Sequence, residues 1–429
     1  MPLAGKGGDP VELPTADPAG ENYQHVNENP FKKVLEEPVS TFSIDVDTAS
    51  YANVRRFINS GQLPPPDAVR IEEMINYFRY DYPQPDGEVP FAVHATITDC
   101  PWAPKHRLAR VALQGREVKT ADLPPSNLVF LLDVSGSMNS PDKLPLLKAG
   151  LVFLLEELRP TDRVAIVVYA GAAGLVLPST PGADKTAILG ALDGLSAGGS
   201  TAGGAGINLA YQVAKDNFIE GGNNRVILGT DGDFNVGVSG TGALVSLIET
   251  KREEGVFLTV LGFGTGNYHE AQMEQLANKG NGNFAYIDSI KEARKVLSTE
   301  FGGTLFTIAK DVKLQIEFNP TKVASYRLIG YENRVMARED FDDDKKDAGE
   351  LGSGHRVTAF YELTPASGEP GEATSNELML VKLRWKAPDS DTSSKIEQPV
   401  LDNGTKFSKT DRDLQFAAAV AAFGMVLKG

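Results

Sequence analysis

Three side chains able to do chemistry stand together in the stretch LVFLLDVSGSMNS: Asp133, Ser135 and Ser137. An apolar run delivers one carboxylate and two hydroxyls to its own end. Such a trio serves a nucleophile, a phosphate or a metal. A nucleophilic serine needs a matched base. Here DVSGS is not G-x-S-x-G, and neither His106 nor His269, the nearest histidine on either side in sequence, stands in a base motif. A phosphate cradle wants a longer Gly-rich loop and a lysine, which DVSGSM does not offer. Two other stretches favour the metal. AGGSTAGG brings Ser200 and Thr201 ahead of the pattern GAGINLAYQV, and RVILGTDGDFNVG carries Asp231 at the tip of another apolar run. All these groups are hard oxygen donors, and the flanking glycines let the backbone come close. The set suits Mg²⁺, Mn²⁺ or Ca²⁺ and suits Zn²⁺ poorly. Two acidic groups leave a roughly octahedral shell short of acidic ligands, so a water or a carboxylate from another molecule fills the remaining position.

For these residues to meet, distant strand ends must share one edge. From about residue 126 the sequence supplies the elements for that. LVFLLDV, RVAIVVYA, GLVLPS, RVILGTD, VFLTVLGFG and GNFAYI read as strands, separated by amphipathic helical patterns. The first of these helices, DKLPLLKAGLVFLLEEL, has its apolar stripe at Leu144, Leu147, Leu151, Leu154, Leu155 and Leu158, with Asp142 placed to cap it. Near-continuous apolar strands between helices predict an α/β fold: a doubly wound, mostly parallel sheet covered on both faces. Such sheets bind ligands at the carboxyl ends of their strands, where Asp133 and Asp231 fall.

The flanks follow a different grammar. FAVHATITDC and HRLARVALQG before this block, and VKLQIEFN, VASYRLIGYENR, HRVTAFYELTP and ELMLVKLRWKAP after it, alternate apolar and polar residues as half-buried strands do. Upstream, a strand is expected over 42–45 and helices over 50–59 and 67–77. The economical reading is one β-rich body built from both ends of the chain, with the α/β domain inserted. The expected divisions are 1–40, a flexible leader; 41–122, the N-terminal flank; 123–302, the α/β domain; and 303–429, a β-rich region with a terminal helix packed against the body. With 429 residues the chain is too long for one core. A net charge of −15 and a pI near 4.9 argue against nucleic acid as a partner. No apolar run approaches the roughly 20 residues of a membrane span. Cys100 is the only cysteine, which rules out an intrachain disulfide and a cysteine metal site. The first residues show no signal peptide, and the expectation is a leader left after removal of a signal or anchor.

Asp133, Ser135 and Ser137, with Thr201 and Asp231 downstream, resemble the metal-ion-dependent adhesion site of von Willebrand factor type A (VWA) domains. That resemblance implies that Ser135, Ser137 and Thr201 bind Mg²⁺ directly or through water. It implies that Asp133 and Asp231 bind mainly through water or hydrogen-bond the shell, and that an Asp or Glu of a partner protein completes coordination. FSIDVDTASYANVRRFINSGQLPPPDAVRIEEMINYF and DFDDDKKDAGELGSGHRVTAFYELTP are similar to the regions flanking this domain in a group of bacterial envelope proteins, which typically begin with a lipoprotein signal. The expectations are therefore residence in the cell envelope, a tether through an N-terminal segment missing from this chain, and a non-enzymatic adhesion or scaffold role.

Three further features of the sequence offer rival readings. In SIDVDTAS, Asp45 and Asp47 after an apolar strand resemble the nucleophile loop of haloacid dehalogenase-type phosphatases, in which the first Asp attacks phosphate on a Mg²⁺ site. That chemistry needs a parallel α/β sheet around the motif, whereas the surroundings read as alternating β. A metal-independent envelope scaffold is the third class. GFGTG (Gly262, Gly264, Gly266) lacks dinucleotide spacing. The acidic loop over 340–347 fails the EF-hand pattern, with Lys345 where Gly is needed and Leu351 where Glu is needed.

Overall fold

The computed structural model describes residues 21, 23–200, 203–232, 240–265, 269–300, 306–346, 348–366 and 377–429. The N-terminal flank holds β1 (Lys32–Lys33), β2 (Val39–Ser43), α1 (Ala49–Asn59), α2 (Ile71–Asn76), β3 (Phe91–Asp99) and β4 (Arg107–Gly115). The α/β block runs β5 (Ser126–Asp133), α3 (Leu144–Glu157), β6 (Arg163–Tyr169), β7 (Ala173–Pro181), α4 (Lys185–Asp193), α5 (Gly203–Asp216), β8 (Asn223–Thr230), α6 (Gly240–Glu253), β9 (Val256–Phe263), α7 (Glu270–Lys279), β10 (Phe284–Ile287) and α8 (Ile290–Arg294). The C-terminal flank adds β11 (Thr307–Phe318), β12 (Val323–Ile329), β13 (Val335–Met336), β14 (Gly349–Gly352), β15 (Arg356–Pro365), β16 (Glu377–Lys386), β17 (Ser393–Leu401) and α9 (Arg412–Lys428).

The α/β sheet has the order β10-β9-β8-β5-β6-β7, parallel except for β7, which runs against β6. It is the expected doubly wound sheet, and β5 lies at its centre with every residue buried. Its side chains alternate between two cores. Val129 and Leu131 pack under α5 and α6, while Leu128, Phe130 and Leu132 pack under α3. Burial on both faces is why this strand reads as an unbroken apolar run.

Both other sheets are antiparallel and mix the two flanks. One has the order β1-β12-β15-β4-β3, the other β13-β2-β11-β16-β17 with β14 on β11. They face each other across one core, which includes Phe42, Val111, Leu314, Tyr326, Tyr361 and Val381. The α/β block is thus inserted in a β-rich body that both flanks build. On the outer face of the first sheet, α9 packs with α2. Leu414, Ala417 and Ala421 meet Ile71, Met74 and Phe360. Gly424 allows a close approach at that crossing, where a Cβ would stand 3.1 Å from an Ile71 side-chain carbon.

Several local expectations shift. The expected leader does not run free to residue 40. Lys32 and Lys33 pair with β12, Val34 is buried, and the Asn29 amide donates to the Leu328 and Gly330 carbonyls. The helix expected over 67–77 splits into a 3₁₀ turn, Pro66–Ala68, and α2. The last helix of the α/β block passes into a π-helical turn at Lys295–Thr299. Asp142 does not cap α3. It accepts from the Ser140 hydroxyl at 2.5 Å, and Lys143 occupies the cap position.

Candidate metal centre

Strand β5 ends on Asp133, and the chain turns at once into a 3₁₀ turn over Gly136–Asn139. One carboxylate oxygen of Asp133 accepts the Ser135 N–H at 2.8 Å, which sets the turn. The Ser135 and Ser137 hydroxyls lie 3.0 Å apart. Met138 drives the turn inward by filling the core under α3. Asp133 is fully buried and Ser135 is 2% exposed, whereas Ser137 is open to solvent. The site therefore has a carboxylate floor and a hydroxyl rim.

Asp231 follows β8, the strand beside β5, and is 1% exposed. Its Oδ2 accepts from the Lys143 ammonium at 2.8 Å. Lys143 reaches it across Gly264, whose φ of +74° and lack of a side chain leave room for the lysine stem. The Tyr169 hydroxyl, at the end of β6, sits between the acids and Thr230. Burial first, and the Asp133 charge second, push that phenol well above its ordinary value. Burial also pushes the Asp133 carboxyl up to about 6, with the Asp231 charge adding to the rise and hydrogen bonds from Ser135 opposing it. The segment over 197–200 closes the third side. Gly136 N–H donates to the Gly199 carbonyl at 3.0 Å, and Gly198 N–H donates to the Val134 carbonyl at 2.7 Å. Asp133, Ser135, Ser137 and Asp231 are thus on one sheet edge, joined by the chain that leads to Thr201. Thr201 itself lies outside the described residues.

The donor set fits a hard divalent cation. Asp133 Oδ2 is buried without a well-formed hydrogen bond among the described residues, although the Ser135 and Tyr169 hydroxyls lie near enough to the carboxylate to favour its charged form. Among the described residues no three His, Cys, Asp or Glu side chains gather in one place. Any cation held here would rest on two carboxylates helped by hydroxyls.

Comparison with known proteins places the α/β block and both flanks in known families. Residues 127–299 match the von Willebrand factor type A domain family, residues 17–110 match a family described as von Willebrand factor, and residues 303–429 match one described as Uncharacterized protein YfbK, C-terminal. Uncharacterized protein YfbK of Escherichia coli (strain K12) is 45% identical over 435 residues, covering 96% of this chain and 75% of that protein. This chain belongs to the bacterial VWA-domain proteins. Two solved structures show partial similarity. One is the conserved hypothetical protein BatB from Bacteroides thetaiotaomicron, 25% identical with a TM-score of 0.36, covering 41% of this chain and 97% of its own. The other is a von Willebrand factor type A protein from Catenulispora acidiphila, 16% identical with a TM-score of 0.44, covering 72% and 73%.

Around the VWA domain, the rival motifs turn out to be structural. Asp45 and Asp47 follow β2, in an antiparallel sheet, and are gripped by Arg334. Its guanidinium reaches Asp45 at 3.1 Å, Asp47 at 3.3 Å and Glu274 of α7 at 2.8 Å. Asp47 also accepts the Phe284 N–H at the start of β10, at 2.9 Å. This cluster ties the body to the VWA domain, and burial together with the Asp45 charge pushes the Asp47 carboxyl well above its ordinary range. In the acidic loop, Asp342 and Asp344 pair with Arg384, and Lys313 Nζ donates to the Asp343 carbonyl. His106 lies on the β-rich body, where its Nδ1 pairs with the Glu362 carboxylate. Sequence reasoning missed Lys143 and Tyr169. The signal for Lys143 was a lysine next to Asp142 at the mouth of a helix whose start faces the strand ends.

Proposed function

We propose that this chain is a non-enzymatic, divalent-cation-dependent protein-binding module. VWA domains in general mediate protein interactions, which supports the coarser half of this reading. The observation that carries the finer half is the buried Asp133 carboxylate with a poorly partnered oxygen, set behind the Ser135 and Ser137 hydroxyls. Asp133 and Asp231 supply the negative charge, Ser135 and Ser137 the rim donors, and Thr201 the donor from the adjoining loop. A bound Mg²⁺, Mn²⁺ or Ca²⁺ ion supplies positive charge and an open position for an Asp or Glu of the partner. On a chain of net charge −15 such an ion inverts the local sign. The partner is therefore an acidic anchor residue within a basic or neutral patch. The proposal includes residence in the bacterial cell envelope, supported by the similarity of the flanking segments to those of envelope proteins. It assigns no catalysis to Asp45 and Asp47, because Arg334 and the Phe284 amide already engage them.

Isothermal titration of the full chain with Mn²⁺, Mg²⁺ and Ca²⁺ tests the site. Wild type is expected to bind at least one of them and Asp133→Ala none. A wild type that binds none would sink the proposal.

A further inference from the structure

Lys143 is a cation already inside the candidate site. Its ammonium is 2.8 Å from Asp231 Oδ2, and its side chain is only 10% exposed. The placement is built in. The stem lies over Gly264, where any side chain would collide with it, and the backbone there takes a φ that favours glycine. Lys143 also begins α3, so its Cα is fixed to the element that covers β5.

We propose that Lys143 is a resident counter-ion, which holds the Asp231 carboxylate when no metal is present and must leave it when a divalent cation binds. This deepens the metal-site reading and rests on it. The reasoning is electrostatic. With the ammonium in place, the carboxylates of Asp133 and Asp231 leave one net negative charge, too little for a doubly charged ion. With the ammonium displaced, the two carboxylates match the ion. Metal and lysine therefore compete for Asp231. The competition keeps the ion-free domain folded by pairing a buried carboxylate, and it lowers cation affinity, so that the site fills only at high cation concentration or when a partner carboxylate arrives with the ion. It makes ion and partner binding mutually dependent, because displacing Lys143 is a cost that the two share.

The test compares wild type with Lys143→Met, which keeps the stem and removes the charge. Titrated with Mn²⁺, Lys143→Met is expected to bind at least tenfold tighter than wild type. In EDTA it is expected to melt lower than wild type, and saturating Mg²⁺ is expected to abolish that deficit. A lysine that merely props the fold would leave the deficit in both buffers. Equal or weaker Mn²⁺ binding by Lys143→Met, with wild type binding, overturns the counter-ion role alone. No binding by either protein overturns the metal site itself. Should Lys143→Met fail to fold, reductive methylation of wild type read by mass spectrometry decides instead. Labelling at Lys143 is expected to rise on adding Mg²⁺, and unchanged labelling overturns the proposal.

Discussion

Asp133→Asn should stabilise the ion-free protein. The carboxyl of Asp133 is raised from an ordinary 3.8 to about 6, chiefly by burial and then by the Asp231 charge. Each tenfold change in proton affinity is worth about 1.4 kcal/mol, so holding this carboxylate ionised costs the fold about 3 kcal/mol at neutral pH. Asparagine removes the charge and keeps the Oδ1 acceptor for the Ser135 N–H. Its new amide takes the place of the poorly partnered Oδ2, beside the Tyr169 hydroxyl. For a domain of this size the gain corresponds to roughly 6–12 °C in Tm. The pH dependence has a definite sign. A carboxyl whose folded value is raised contributes stability below its unfolded value and loses it as pH rises through the folded one. The advantage of the variant should therefore be full at pH 7.5, shrink through pH 6 and vanish near pH 4. Thermal unfolding in EDTA at these three pH values is the assay. Mg²⁺ at about 100 times its Kd should then return about 2.7 kcal/mol to wild type and nothing to the variant. A variant less stable than wild type at pH 7.5 in EDTA, or one with the same advantage at pH 4, would refute the claim that Asp133 is held under strain for a cation.

Two further perturbations probe how the VWA domain is held. Arg334→Met strands the carboxylates of Asp45, Asp47 and Glu274 at the junction, and should cost about 3–5 kcal/mol and split calorimetric unfolding into separate transitions. A loss under about 1 kcal/mol would show that the clasp is unimportant. Leu414→Ala removes a fully buried side chain between α9 and α2 and should cost about 2–5 kcal/mol in urea unfolding with Mn²⁺ binding unchanged. A change in Mn²⁺ affinity would mean that the body and the site are coupled.

How far the sequence foretold this molecule depends on what each feature rests on. Strand β5 was legible because both its faces are buried, which leaves an apolar run that ends abruptly in Asp133. The body built from both flanks was legible because half-buried strands alternate on either side of the α/β block. The pairing of β2 between β11 and β13 was not legible. It joins segments hundreds of residues apart, and no turn fixes their register. The charged clusters divide the same way. Each acid stands at or just past a strand end: Asp133 closing β5, Asp231 after β8, Asp45 and Asp47 after β2. The pleat and the sheet edge fix such positions, so local pattern finds them. Their cations arrive on long stems from elsewhere, Lys143 from 88 residues before Asp231 and Arg334 from 287 residues beyond Asp47. No periodicity records that reach. Reading the acids without their cations is what made Asp45 and Asp47 resemble a nucleophile pair, and it is also why Asp231 looked available to a metal alone. The clasp and the site therefore differ in one respect that decides function. Arg334 is spread over three carboxylates, whereas the Lys143 ammonium pairs with the Asp231 carboxylate at the sheet edge where the proposed cation would compete for it.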